Sequence, residues 1–315
     1  MSHRSTRAPG CPFSYCSASI ALGRSRLHPN PSPTCSKPTC YSFGMTRPER
    51  VPRPTLQERW ETAQARWSEA QARWEERKPA PFRSAVEVLP GVFQVRTRGS
   101  KAYLLVEDDI TLIDTGSVGS GARILRAVEE LGRSPSDIKH IVITHYHLDH
   151  VGGLPEIQEY VSARTGVHLA EAPHVESGEQ LPNPFTHPLL ARICEPYLRR
   201  NDPGAARVDV ILDDGDELPA LGGMRIVHAP GHTAGSISLY FPNRGMLLVG
   251  DAMQYKFGRL MLPSRLFTQD MAEATASVQK LAALDFETLC FSHFRPILEG
   301  ADQRVREFAR SLQEK

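Results

Sequence analysis

One short stretch of the chain concentrates side chains that bind metal ions. His145, His147, Asp149 and His150 stand within six residues, directly after an apolar strand predicted at 139–143. Alternate residues of an extended chain share one face, so His145 and His147 can bind the same ion. Asp149 and His150 stand where the chain turns and can reach a second position nearby. Because imidazole and carboxylate groups are common zinc ligands, this spacing predicts a metal centre.

Three later segments each supply one more side chain of this kind at the end of a predicted strand. His232 stands in a glycine-flanked loop, Asp251 ends an apolar strand, and His293 ends another. Inward-facing side chains at strand ends can meet at one edge of a sheet, where histidine nitrogens and carboxylate oxygens suit a divalent metal ion. The full set of predicted metal ligands is His145, His147, Asp149, His150, His232, Asp251 and His293.

The order of these motifs resembles the metallo-β-lactamase superfamily. The resemblance is carried by the H-x-H-x-D-H run, the P-G-H-T-x-G-S loop around His232, the Gly-Asp-Ala turn at Asp251 and the late His293. The triplet that begins at Asp114 matches the first motif of that family. The resemblance covers about residues 85–300. It implies an α/β fold, namely a four-layer αβ/βα sandwich of two mixed β-sheets with external helices and metals at one edge.

The resemblance also implies how the ligands divide between two metal ions. The first ion is assigned to His145, His147 and His232. The second ion is assigned to Asp149, His150 and His293. Asp251 is expected to bridge the two ions, and Asp114 to orient the ligand loop through hydrogen bonds. Two Zn²⁺ ions are the expected cofactors, with iron and manganese as the alternatives.

A pair of divalent ions predicts hydrolytic chemistry. Two ions about 3.5–4 Å apart can share a hydroxide and lower its pKa toward neutrality, and that hydroxide can attack an acyl carbonyl. Asp149 is placed to orient or deprotonate the water, as a catalytic residue. No serine or cysteine nucleophile is needed. The leading interpretation is a binuclear zinc-dependent hydrolase of a small-molecule ester, thioester or lactone.

Departures from the family's patterns separate its branches. Flavodiiron-like members carry glutamate where this chain has His147, and the commonest class B β-lactamases carry cysteine where it has Asp251. An aspartate at that position resembles the glyoxalase II, lactonase and ribonuclease Z branches. Only about sixty residues follow Asp251, whereas glyoxalase II-like enzymes usually append a helical half that binds glutathione. This difference argues against glutathione thioesters as substrates.

Two other activities stay open at this level. The first is a mononuclear iron persulfide dioxygenase, although the chain reads Met-Gln-Tyr-Lys-Phe at 253–257 where those enzymes carry an Arg-Cys-Gly-type stretch. The second is a phosphodiesterase or nuclease of the ribonuclease Z type. With 37 basic and 36 acidic residues, the chain has no global positive field to attract nucleic acid. The expected partner is a small-molecule substrate, and Tyr255 and His174 are its candidate contacts.

The elements around these motifs mix hairpins with β-α units, which favours two mixed sheets packed face to face with helices outside. Strands are predicted at 86–89, 92–95, 103–106, 110–113, 139–143, 167–170, 208–212, 224–227, 237–241, 246–249 and 288–291. Helices are predicted at 119–132, 154–165, 270–284 and 301–313. Apolar residues at roughly helical spacing in 173–207 predict a helical cap over the metal cleft, with a plain surface helix as the alternative.

The first part of the chain has a different character from the catalytic domain predicted at 84–315. Residues 1–53 contain one acidic residue, Glu49, and many Ser, Pro and Arg, a composition typical of disorder. Translation from Met45 is the alternative explanation. No apolar run approaches the ~20 residues of a membrane span, so no membrane partner is expected. Sparse cysteines in the catalytic domain favour a cytoplasmic location, with organelle targeting by residues 1–44 as the alternative.

Between these parts, residues 54–83 predict a tryptophan-rich amphipathic helix. Trp60, Trp67 and Trp74 are seven residues apart within a predicted helix at 55–78. This heptad spacing gives one apolar seam flanked by charged residues. The helix can pack on the catalytic domain or form the arm of a homodimer.

Overall fold

A computed structural model describes residues 84–314 of the chain. The predictions for residues 1–53 and for the tryptophan-rich helix at 54–83 lie outside these residues. The described part folds into two facing β-sheets with helices on their outer faces, which confirms the predicted α/β sandwich. None of the helices within 84–314 combines the length and apolar character that crossing a bilayer requires.

The first sheet has seven strands that lie side by side in chain order. Its first four strands pair antiparallel as hairpins. The fourth to seventh strands pair parallel, so the fourth strand takes part in both kinds of pairing. Parallel neighbours need crossover connections, which explains the helices that separate these strands. The strands are β1 (Ala85–Leu89), β2 (Val92–Arg96), β3 (Lys101–Val106), β4 (Ile110–Ile113), β5 (Ile138–Val142), β6 (Arg164–His168) and β7 (Val210–Leu212).

The second sheet has five strands in the order β14-β11-β10-β9-β8. Strands β11 and β14 pair parallel, and the other neighbours pair antiparallel. These strands are β8 (Glu217–Leu218), β9 (Met224–His228), β10 (Ile237–Phe241), β11 (Met246–Leu248) and β14 (Thr288–Cys290). A separate hairpin of β12 (Gln254–Lys256) and β13 (Arg259–Met261) was not predicted, because each strand has only three residues and no clear alternation of apolar and polar residues.

Seven helices and two 3-10 turns connect the strands of the described part. The helix predicted at 154–165 ends earlier, at Tyr160, because the backbone of Val161 is already extended and the chain enters β6 at Arg164. The helices are α1 (Gly121–Glu130), α2 (Leu148–Val151), α3 (Leu154–Tyr160), α4 (Ala172–Glu176), α5 (Pro188–Arg200), α6 (Met271–Ala282) and α7 (Ala301–Gln313). The 3-10 turns are Pro135–Asp137 and Pro242–Arg244.

Three layers of buried side chains hold the sheets and helices together. Successive residues of a strand point to opposite faces. In β3, Tyr103 and Leu105 therefore pack between the sheets, while Leu104 packs under the helices of the first sheet. In β11, Leu248 faces the first sheet and Leu247 faces α6 and α7. Burial of each such side chain stabilises the fold by roughly 1.5–3 kcal/mol. This packing holds the strands of both sheets, and therefore the strand ends, in place.

Candidate metal centre

The predicted metal ligands lie in segments that follow the ends of four strands. After β5, His145 and His147 precede α2, and Asp149 and His150 lie within it. The loop after β9 carries His232, and the chain after β11 and β14 carries Asp251 and His293. Both sheets therefore contribute ligands. The packed layers between the sheets fix how these loops approach each other.

The structure brings all seven predicted side chains together. Three overlapping groups have one potential ligand atom per residue within 4.8 Å of one another. These groups are His145 with His147 and His232, His145 with His150 and Asp251, and Asp149 with His150 and His293. The first and third groups share no residue, and they match the two sets that the sequence assigns to two ions.

Two buried nitrogen atoms identify where an ion would fit. Nε2 of His145 and Nε2 of His150 are buried and have no hydrogen-bond partner among residues 84–314. A buried polar atom left unsatisfied costs about 1–3 kcal/mol, and a bound cation would remove that cost. Imidazole nitrogens beside carboxylate oxygens form the donor set that zinc prefers. The residues present therefore fit a metal centre.

Two aspartates lie between the histidines of these groups. The Oδ2 atom of Asp251 is 3.2 Å from Nε2 of His293 and 3.5 Å from Nε2 of His232. Its Oδ1 atom is 3.8 Å from Nε2 of His150. The Oδ2 atom of Asp149 is 3.4 Å from Nε2 of His293. Asp251 thus reaches histidines of both ion sets, as a bridging carboxylate would.

Asp114 fixes the proton position on two of the histidines. This buried residue has a left-handed backbone (φ 57°), and its carboxylate accepts hydrogen bonds from the Thr144 amide at 2.8 Å and the Thr144 hydroxyl at 2.9 Å. It also accepts from Nδ1 of His150 at 2.9 Å. Because the Thr144 hydroxyl donates to Asp114, its oxygen accepts from Nδ1 of His145 at 3.1 Å. When each ring is neutral, its proton lies on Nδ1 and its unprotonated Nε2 faces the centre.

Thr268 orients a third histidine in the same way. Its hydroxyl donates to the carbonyl of Ser264 at 2.8 Å, so its oxygen is left to accept from Nδ1 of His232 at 3.3 Å. Nε2 of His232 is then unprotonated, and it lies 3.0 Å from Nδ1 of His147 in the same ligand group. Sequence analysis missed Thr268, since it lies far along the chain from His232 and belongs to no recognised motif.

Glu171 is a second residue that sequence analysis missed. Its fully buried carboxylate accepts from the amide of Tyr146 at 2.7 Å, the hydroxyl of Thr233 at 2.9 Å and the amide of Gly235 at 2.6 Å. Burial raises the pKa of Glu171, and the three donors oppose that shift. Glu171 therefore ties the backbone between the first two histidines to the loop that carries His232. Its place just after β6, a parallel neighbour of β5, was the available signal.

Burial and charge give the histidines different protonation behaviour. Burial, together with the neighbouring imidazoles, holds the pKa of His145 and His147 well below the ordinary value, so both rings are neutral near pH 7. Burial alone would lower the pKa of His150, but nearby carboxylates, led by Asp114, outweigh it and raise the pKa to about 10. The same carboxylates would stabilise a metal cation at this position.

A cavity of 550 Å³ opens on the centre and extends under the segment predicted as a cap. Its polar wall includes His147, Asp149, His232, Asp251, His293 and Lys256. Its apolar wall includes Pro184, Phe185, Tyr197, Leu198 and Phe267. The predicted cap at 173–207 thus contributes four of these apolar side chains, whereas Leu189 and Ile193 on α5 point to solvent. The shape suits a molecule with an apolar part beside the reactive group.

Neither of the two predicted substrate contacts lines the metal-site cavity. Tyr255 stacks on Phe291 at 6.0 Å between ring centroids and lines a neighbouring cavity, while Lys256 beside it lines the metal-site cavity. Alternation along the short strand β12 explains why adjacent residues face different cavities. The His174 ring packs 4.6 Å from the ring of Tyr146 and does not line the metal-site cavity.

Comparison with known families and proteins agrees with this geometry. The model of the metallo-beta-lactamase superfamily matches residues 95–293. Probable metallo-hydrolase YflN of Bacillus subtilis is 30% identical over 200 residues, which cover 59% of this chain and 75% of the relative. Hydroxyacylglutathione hydrolase of Aeromonas hydrophila is 33% identical over 165 residues, covering 52% of this chain and 50% of that enzyme. The chain therefore matches only about half the length of that enzyme.

Solved structures support the same fold. A metallo-beta-lactamase family protein of Thermus thermophilus superposes with a TM-score of 0.57 at 24% identity, over 72% of this chain and 81% of that chain. BJP-1, a subclass B3 metallo-beta-lactamase of Bradyrhizobium japonicum, superposes with a TM-score of 0.53 at 22% identity, over 75% of this chain and 92% of that chain. At this level of identity the likeness concerns the fold alone.

Proposed function

The chain belongs to the metallo-β-lactamase superfamily, and we propose that it is a binuclear zinc enzyme that hydrolyses an ester, thioester or lactone of a small molecule. The chain is a metal-dependent hydrolase, because it belongs to this superfamily and has metallo-hydrolase relatives. The observation that carries the finer proposal is the convergence of two separate ligand groups with Asp251 between them. A single-ion site would leave one of these groups unused.

In the proposed centre, His145, His147 and His232 hold one ion, and Asp149, His150 and His293 hold the other. When bound, two zinc ions lower the pKa of an attacking water toward neutrality and polarise the carbonyl of the substrate. Asp251 lies between the groups and supplies negative charge to both. Asp114, Thr144 and Thr268 keep the three buried rings in the tautomer that presents Nε2.

Asp149 is the proposed proton acceptor in this reaction. Its side chain is 32% exposed and lines the cavity, so it can reach both the centre and a bound substrate. As a carboxylate it can orient the attacking water and take up its proton, and then deliver that proton to the leaving group. The apolar wall under the cap excludes bulk water from the same space, which strengthens the electrostatic contacts inside.

The cavity and the relatives together support an acyl compound as the substrate. An apolar wall beside a centre of histidines and aspartates suits an acyl group next to a polar bond. The name of the Aeromonas relative gives a hydrolase of hydroxyacylglutathione, which supports an acyl bond as the target. This chain spans about half of that enzyme, so an acyl bond rather than glutathione is the shared feature that we propose.

The proposal is tested by assaying zinc-loaded protein on a panel that contains an aryl ester, an acyl thioester, a lactone, a labelled RNA and a persulfide. We expect hydrolysis of one of the three acyl substrates, with kcat about 100-fold or more lower in Asp149→Asn. The matched control is Asp209→Asn, which changes a carboxylate next to β7 and not one at the metal centre. RNA cleavage without acyl hydrolysis would establish the nuclease alternative, and oxygen-dependent turnover of the persulfide with iron would establish the dioxygenase.

A further inference from the structure

A second cavity of 780 Å³ adjoins the metal-site cavity. Gly99, His293 and Phe294 line both cavities, so the two spaces share a wall. The wall is thin at Gly99, whose backbone has a φ of +83° and lies against Asp149. A Cβ atom added there would lie 2.5 Å from Cβ of Asp149. The two cavities are therefore neighbours, and a group bound in the second cavity would lie beside the metal centre.

Among residues 84–314, three cationic side chains and no carboxylate line the second cavity. Arg96, Lys101 and Arg295 surround it, together with polar and aromatic residues. Within residues 84–314, none of the three lies within 4.0 Å of an acidic side chain. The positive charge of the lining is thus not neutralised by the described part of the protein, and an anion entering the cavity would be attracted.

Lys101 connects this charge to the metal centre. Its ammonium group is half-buried and donates to the carbonyl of Phe294, next to His293 in the chain. Burial lowers the pKa of Lys101 to about 8, with Arg295 and Arg96 acting in the same direction. Arg96 and Arg295 therefore each lie close enough to Lys101 to repel its ammonium group, and a bound anion would relieve that repulsion.

An unpartnered hydroxyl group supplies an independent indication of a ligand. Ser292 lines the same cavity and is 1% exposed, and its buried hydroxyl has no hydrogen-bond partner in the described part of the chain. Buried polar groups in folded proteins are nearly always hydrogen-bonded, so this hydroxyl calls for a partner that the protein does not provide. An oxygen atom of an anionic ligand would accept its proton.

We propose that this cavity binds an anionic group of the substrate, a carboxylate or a phosphate, while the acyl bond of the same molecule lies at the metal centre. Planar guanidinium groups match both anions through paired hydrogen bonds. The placement of the acyl bond rests on the proposed hydrolase function. Anion binding by the cavity does not depend on that function, because it follows from the cations and the free hydroxyl alone.

Equilibrium binding tests the cavity directly. Zinc-loaded full-length protein is titrated by calorimetry with inorganic phosphate and, separately, with glutarate. We expect the double variant Arg96→Gln, Arg295→Gln to lose about tenfold or more in affinity for at least one of them. The ion that wild type binds more tightly identifies the group. Matched control Arg164→Gln removes an exposed arginine at the start of β6 and should bind as wild type does.

Equal affinities in wild type, the double variant and Arg164→Gln would overturn the proposal, because the anions would then bind only at the metal ions or elsewhere. A kinetic arm tests the link to the substrate. The ratio of kcat/KM for the para-nitrophenyl monoester of glutarate over para-nitrophenyl butyrate should fall about tenfold in the double variant. An unchanged ratio would show that the cavity does not bind the anionic group of the substrate. If neither ester is hydrolysed, the acyl hydrolase proposal fails, whereas calorimetry still decides whether the cavity binds anions.

Discussion

At the scale of single residues, the centre depends on side chains that would never touch an ion. Asp114, Thr268 and Glu171 each contact a histidine or the backbone that carries one. Such outer contacts fix the tautomer and direction of a ligand ring, and their loss typically weakens metal affinity 10- to 100-fold. The roles of Glu171 and Thr268 can each be tested by a substitution.

Glu171→Gln should weaken zinc binding about tenfold or more while the fold persists. A carboxamide keeps the volume of Glu171, but its NH₂ group would face donors that now point at a carboxylate oxygen. Zinc affinity is measured by competition with a chromophoric chelator, and circular dichroism checks the fold. Matched control Glu176→Gln alters an exposed glutamate of α4. Affinity within twofold of wild type in both variants would show that Glu171 does not position the ligands.

Thr268→Val should reduce zinc affinity and kcat, because it removes the oxygen that accepts from Nδ1 of His232. Thr268→Ser keeps that oxygen and should restore most of the loss. A purely steric role would give a different order, since valine matches threonine in shape better than serine does. Finding the serine variant as impaired as the valine variant would contradict the tautomer argument. Both variants are compared by zinc titration and steady-state kinetics.

At the scale of elements, strands were easier to predict than the contacts between them. The runs at β10 and β11 are apolar because both faces are buried, and that pattern predicted them to within a residue. The hairpin β12–β13 carries no such pattern and was missed. The motifs predicted all seven candidate ligand side chains, which the structure brings together, whereas Glu171 and Thr268 act through contacts with distant segments. The spacing of residues along the sequence does not show which distant segments come into contact.

The layer between the sheets leads to a prediction for Cys290, at the end of β14. Burial raises the pKa of its thiol to about 12, against an ordinary value of about 9. The folded state then binds the proton more tightly than the unfolded state, so this group favours folding less as pH rises from about 9 to 12. Its contribution should fall by up to about 1.4 kcal/mol per pH unit in that window.

Two measurements check this behaviour of Cys290. Iodoacetamide at pH 9 should label its peptide only after unfolding, as mass spectrometry would show. In denaturant titrations, the unfolding free energy of wild type should decline more steeply above pH 9 than that of Cys290→Ala. Rapid labelling of the folded protein, or parallel pH profiles for the two proteins, would contradict a buried and protonated thiol.

At the scale of the whole molecule, the centre joins the two halves of the sandwich. His145 and His147 extend from the first sheet, and His232 and Asp251 extend from the second. A ligand that binds only the folded state stabilises it by about 4 kcal/mol at 1,000 times its Kd. Bound ions should therefore stabilise the packing of one sheet on the other, beyond any role in chemistry.

Removal of metal by a chelator should lower the Tm by several degrees, and added zinc should restore it. The effect is measured by calorimetry at fixed protein concentration. His147→Ala should show a smaller change between metal-free and zinc-loaded samples than wild type shows. An identical Tm with and without zinc in wild type would mean that the ligand loops are held by the protein alone.

The most direct test of the binuclear centre is the metal content of the purified full-length protein, measured by mass spectrometry alongside acyl hydrolysis. We predict about two zinc ions per chain in active wild type, with a large loss of metal in His147→Ala. The control His187→Ala, which alters an exposed histidine ahead of α5, should keep its metal. One iron ion per active chain, or full activity in metal-free protein, would contradict the account.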